Sequence, residues 1–171
     1  MPRLFHISEE ENILRFLPRI SKKQWNNEQY VWALEANKLH NYLLPRACPR
    51  ICVDLEQVTT PIDWLPLKNK GVKAVIFVPE NWKEKIQNCT LFKYEFIAAN
   101  FKLIDKIAGY YVSDKTEIPI NKIEIKNCLQ ALNLLNVELA ITDKVRMLEI
   151  KEKVVNNLKA FSIIKWKNFN L

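Results

Sequence analysis

Apolar and polar positions alternate from the start of the chain. In Arg3-Leu-Phe-His-Ile-Ser8, Leu4, His6 and Ser8 share one face of a strand and Phe5 and Ile7 the other. Residues 9–16 predict a helical turn stopped by Pro18, and the polar stretch 21–29 a loop. Tyr30–Leu34 reads as a strand, followed by a helix over 35–44 that Pro45 closes, because the residue before a proline is steered away from helical angles. Arg50–Leu55 predicts a strand, residues 59–66 with two prolines an irregular stretch, and the β-branched run Lys73–Val78 a central strand. Pro79 suits the first turn of a helix reaching Gln87. In Leu91–Ile97, Phe92, Tyr94 and Phe96 alternate with Lys93 and Glu95, as expected of a strand with one buried face.

Further strands are predicted at 108–113, 137–141 and 160–166, and helices at 123–135 and 142–158. In the last helix Met147, Ile150, Val154 and Leu158 fall on one side. Strands interrupted by unevenly placed helices, with no repeat and no Ser/Gly/Pro linker, indicate an α+β fold in a single domain spanning 1–171.

Composition narrows the chemistry. The 171 residues, 49% of them hydrophobic, suffice for a substantial core. The purest apolar run, Ala74–Val78, is far short of a membrane span, and the start of the chain does not read as a secretory signal, so a cytoplasmic protein is expected. Cysteines 48, 52, 89 and 128 then read as reduced thiols. Cys48 and Cys52 form the only close pair, and with only His6 and His40 as histidines the sequence does not predict a zinc site. Only two glycines occur, Gly71 and Gly109, which excludes a Walker A loop and a G-x-G-x-x-G turn, since both need several residues without a Cβ against phosphate. H-E-x-x-H and G-x-S-x-G are absent. A bound nucleotide would have to be held by side chains and irregular backbone.

His6 and Ser8, on one side of their strand, could hold ribose hydroxyls. Tyr42, on the flank of its helix, could lay its ring against a planar ligand. Pro45-Arg46-Ala-Cys-Pro-Arg50 follows directly, and two arginines on a proline-stiffened turn suit a pyrophosphate. Each also has a bland structural explanation: a histidine bonded to a nearby carbonyl, a core-edge tyrosine, and arginines paired with neighbouring carboxylates.

The segment VWALEANKLHNYL, with Trp32-Ala33 followed by Tyr42, resembles the strand–helix segment of the ADP-ribosyltransferase superfamily in its histidine-tyrosine-glutamate branch. The stretch from LFKYEF to GYYVSDKTEIP is similar to the later strands of that fold. The resemblance implies split β-sheets flanked by helices, NAD as cofactor, His6 on a ribose and Tyr42 stacked on nicotinamide. It also implies a catalytic glutamate where this chain has Tyr110, and a phenol with a pKa of about 10 cannot supply that negative charge. Glu95, on the neighbouring strand pattern, is a candidate substitute. LFHISEE, NYLLPR-x-CPR and YYVS further resemble an uncharacterised bacterial family over nearly the whole chain, which implies no activity.

The expectation is therefore a protein with an NAD or nucleotide ligand. His6, Ser8, Tyr42, Arg46 and Arg50 would bind it, Glu95 and Tyr110 would stand at the catalytic position, and enzymatic status is open. The competing expectation is a non-enzymatic RNA- or protein-binding module. It rests on the formal charge of +7, the basic residues from Lys144 onward and exposed aromatics such as Trp25 or Trp166. Glu149 and Glu152 interrupt that basic run, as they would on an ordinary solvated helix face.

Overall fold

The computed structural model describes residues 2–20, 28–59, 61–68 and 71–170. Trp25 and most of the loop predicted over 21–29 lie outside the described residues. The fold is α+β with two sheets. In chain order, the strands are β1 (Arg3–Ser8), β2 (Arg19–Ile20), β3 (Gln29–Leu34), β4 (Arg50–Asp54), β5 (Ala74–Pro79) and β6 (Leu91–Ile97). They continue with β7 (Lys102–Asp105), β8 (Tyr110–Ser113), β9 (Asn121–Ile125), β10 (Val137–Thr142) and β11 (Phe161–Ile164). The α-helices are α1 (Lys83–Gln87), α2 (Cys128–Leu134) and α3 (Lys144–Asn157).

Backbone contacts divide the chain into two units, each discontinuous in sequence: Met1–Tyr42 with Thr90–Lys126, and Leu43–Cys89 with Asn127–Leu171. The first holds an antiparallel sheet in the order β7-β8-β3-β1-β6-β9, with β2 paired to β3. Its core is Leu4, Phe16, Val31, Ala33, Phe92, Tyr94 and Phe96 on one sheet face. The register explains why: Leu4 pairs with Phe96 and His6 with Tyr94, so the buried positions of β1 and β6 coincide.

The second unit holds the sheet β10-β5-β4-β11, in which β10 and β5 are parallel and the other pairs antiparallel. β5, the most apolar strand, is buried along its whole length, as its lack of alternation predicts. Met147, Ile150, Val154 and Leu158 join Ile51, Val53, Val75 and Phe77 in the core of this unit. The carboxylate of Asp143 caps α3 by accepting from the Arg146 amide at 2.8 Å.

Three local expectations are corrected. Residues 9–16 are not helical. The Tyr94 hydroxyl donates toward the carbonyls of Glu10 and Glu11 and accepts from the Ile13 amide, so backbone groups that a helix would pair are satisfied by a side chain. The helix predicted over 35–44 is a 3-10 helix, Ala36–Tyr42. The helix expected from residue 123 begins at Cys128, because Asn127 caps it through a bond from the Gln130 amide, and Ile123 and Ile125 belong to β9.

A candidate aromatic site on the first sheet

Tyr110 opens β8 immediately after Gly109, which adopts φ +67°. The Gly109 carbonyl accepts from the Glu35 amide at 3.2 Å, where β3 passes into the 3-10 helix. A Cβ at Gly109 would stand 2.6 Å from Glu35 Cγ and 2.8 Å from Lys38 Cγ. The missing side chain therefore lets β8 start hard against the 3-10 helix. The consequence is that the hydroxyl of Tyr110 hydrogen-bonds that of Tyr42, the last residue of this helix.

Register places the third aromatic. Leu34 of β3 pairs with Tyr110 and Trp32 with Val112, so Trp32, Leu34 and Tyr110 share one sheet face. The Trp32 and Tyr110 rings meet edge-on, with centroids 5.5 Å apart at 90°. The Tyr42 and Tyr110 rings lie 6.2 Å apart at 64°. The indole Nε1–H of Trp32 is buried and has no acceptor among the described residues. The 3-10 helix adds a second such atom, Asn41 Oδ1, on a side chain only 8% exposed. Buried polar atoms are almost always satisfied, so an orphan donor and an orphan acceptor on the elements that join Tyr42 to Tyr110 require a physical account.

His6 does not converge with Tyr42. Phe5 pairs with Leu34 and therefore shares the face of Tyr110, and His6, one residue further, projects from the opposite face. There its ring packs edge-on against Phe16 at 4.9 Å, and Nδ1 lies 2.9 Å from the Trp32 carbonyl. A carbonyl only accepts, so His6 donates from Nδ1. β1 and β3 share only the pair Phe5–Leu34, and this imidazole contact occupies a strand carbonyl near it. Ser8 closes β1 locally, its Oγ accepting from the Glu10 amide at 3.0 Å.

Glu95 pairs with Phe5 and so lies on the Tyr110 face, but β1 and β3 separate β6 from β8. Three strand spacings amount to about 14 Å. Its carboxylate is bound instead by Arg3 Nε at 3.3 Å and the Asn121 side-chain amide at 3.3 Å. It does not stand in for a carboxylate at Tyr110.

Arg46 and Arg50 belong to the second unit. Arg46 is exposed. Arg50 is not a rim arginine: it is 1% exposed in β4, and its Nη1 donates to the carbonyls of Pro45 at 3.0 Å and Cys48 at 3.2 Å. Its guanidinium fixes the turn between the two prolines. Burial pushes the thiols of Cys48 and Cys52 up to about 12 each, with Arg50 opposing the rise, so both stay protonated near neutral pH.

The C-terminal aromatic expected to be exposed is engaged. The Trp166 ring stacks on Phe169 at 4.4 Å and carries Lys151 Nζ at 4.7 Å, while Arg146 pairs with Glu149 at 2.7 Å. No helix among the described residues is long and apolar enough to cross a membrane. No cluster of His, Cys, Asp and Glu suited to a metal ion occurs among the described residues.

The sequence reading passed over Trp32, Asn41 and Gly109 as site residues. The available signal was Gly109 itself, one of two glycines in the chain and placed directly before Tyr110.

In comparisons with known proteins, a family described as "Family of unknown function (DUF6886)" matches residues 5–169. No curated protein and no solved structure matches.

Proposed function

From the premise that the chain belongs to this family of unknown function, we propose that it binds a nicotinamide-type nucleotide, NAD first, on the Trp32–Tyr42–Tyr110 face, without transferring ADP-ribose. The observation that carries this reading is the buried Trp32 Nε1–H left without an acceptor beside two hydrogen-bonded tyrosines. A primary carboxamide on a planar ring is the complementary group. Its oxygen accepts from the indole, its amino group donates to an acceptor such as Asn41 Oδ1, and its ring offers a π-face to the tyrosines.

Binding rather than glycosyl transfer follows from the charges. The partner of Tyr42 is the phenol of Tyr110 in place of a carboxylate, and the one strand carboxylate considered as a substitute, Glu95, is held by Arg3 and Asn121. Losing a preorganised group that stabilises developing charge costs on the order of 100- to 1,000-fold in rate. His6 and Ser8 serve the packing and the end of β1 and lie outside the site. Nucleic-acid binding through the C-terminal helix is the weaker reading, because Trp166, one of the two aromatics named for stacking, is already engaged by Phe169 and Lys151.

Isothermal titration with NAD, nicotinamide and ADP-ribose tests the proposal. NAD and nicotinamide give heat, and ADP-ribose, which lacks the carboxamide, binds at least about tenfold more weakly than NAD, a difference of about 1.4 kcal/mol. Trp32→Phe keeps the ring and removes the donor, and weakens NAD by about 2- to 10-fold, the range for one neutral hydrogen bond. Folded wild-type protein that gives no heat with millimolar NAD or nicotinamide, or equal affinity for NAD and ADP-ribose, ends this reading.

A further inference from the structure

Cys89 and Cys128 stand where the chain passes between its two units, at 89/90 and 126/127. The last registered pair of the β6–β9 ladder is Leu91–Ile125, so the two segments leave the sheet side by side. Cys89 is two residues before that pair and Cys128 three residues after it, as the first residue of α2. The two are neighbours: the Cys128 thiol donates to the Cys89 carbonyl oxygen at 3.8 Å, 39 residues away in sequence. Neither cysteine is in a disulfide, and Cys89 is half-buried while Cys128 is buried.

We infer that Cys89 and Cys128 form a redox modification site, closing a reversible disulfide when the chain meets an oxidised low-molecular-weight disulfide of the glutathione type. Cys89, the more accessible, loses its proton and its thiolate attacks one sulfur of the small disulfide. That S–S bond breaks, one small thiolate leaves and takes up a proton, and a mixed disulfide remains on Cys89. The Cys128 thiolate then attacks the Cys89 sulfur, and the second small thiol leaves with the second proton. Two protein thiols are oxidised and one small disulfide is reduced to two thiols. Cys48 and Cys52 stay out of the exchange, because desolvation pushes both thiols up to about 12 and keeps them protonated at pH 8. The bond would tie together the two chain segments that flank the β6–β9 ladder.

The test uses the full chain, folded, with oxidised glutathione at pH 8, followed by alkylation in denaturant and tryptic mass mapping. The expected product joins peptide Ile86–Lys93 to peptide Asn127–Lys144 and separates on reduction. Cys128→Ser, whose hydroxyl cannot resolve the adduct, stops at a glutathione mixed disulfide on Cys89. A wild-type protein that also stops at the mixed disulfide overturns the inference. So does one whose Cys89 fails to react, joins Cys48 or Cys52, or links to Cys128 only in denaturant.

Discussion

Gly109→Ala tests how the aromatic site is positioned. Gly109 sits at φ +67°, where an L-residue other than glycine costs about 1–2 kcal/mol. The new Cβ also meets Glu35 Cγ at 2.6 Å, Lys38 Cγ at 2.8 Å and Glu35 Oε1 at 2.9 Å. Both side chains must leave their rotamers, and Lys38, only 7% exposed, has little room to do so. At about 0.5–1.5 kcal/mol for each displaced side chain, the total loss comes to about 2–5 kcal/mol. Gly71→Ala isolates the backbone part, because Gly71 has φ +80° and nothing within 4 Å of its would-be Cβ. Its cost is about 1 kcal/mol, partly offset by the stiffer unfolded chain. With a urea m-value of about 2 kcal/mol/M, Gly109→Ala lowers the unfolding midpoint by about 1–2.5 M and Gly71→Ala by about 0.5 M or less. If Gly109→Ala is no more costly than Gly71→Ala, the close approach of β8 to the 3-10 helix does not set the position of Tyr110, and the account of the site fails.

Other outcomes follow from single contacts. Asp143→Ala removes the cap of α3 and costs about 1 kcal/mol by urea unfolding, whereas Asp143→Asn, which keeps an acceptor, costs a few tenths. Cys48 and Cys52 titrate near 9.0 when unfolded and about 12 when folded, so the unfolded chain releases their protons first as pH rises. Their stabilising contribution is complete below about pH 9 and lost on the way to pH 12, and Cys52→Ala flattens that fall in a pH series of urea midpoints. Arg50→Ala leaves the carbonyls of Pro45 and Cys48 without their buried donor and costs about 3 kcal/mol, well beyond a surface arginine such as Arg46→Ala, which changes the midpoint little.

Most individual strands were legible because their cause is local. The unbroken apolar run of β5 and the alternation of β6 follow from the burial of two faces and of one. The helix reading of 123–135 failed because Ile123 and Ile125 satisfy a period of two as well as a helical stripe, and the arbiter was Asn127 as a cap. The non-helical course of residues 9–16 is set by Tyr94, more than 80 residues away in sequence. The site was less legible than the fold for the same reason. Alternation in β1 placed His6 opposite Phe5, but nothing within β1 says which of these faces meets Tyr110. That depends on the pairings Phe5–Leu34 and Leu34–Tyr110, which are non-local. Arg50 was misjudged because a buried arginine bonded to carbonyls and an exposed one awaiting phosphate look alike in sequence.

The interleaving of the two units has a consequence for birth on the ribosome. β1 and β3 emerge early, but their sheet lacks β6 until the whole of Leu43–Cys89 has been made, and at about 5–20 residues per second that delay lasts several seconds. Throughout it, one flank of β1 presents unpaired amides and carbonyls beside the apolar Leu4. Translation speed across residues 43–89 therefore governs how long the nascent chain stays vulnerable to wrong partners, and a truncation anywhere within 43–125 leaves both units unfinished.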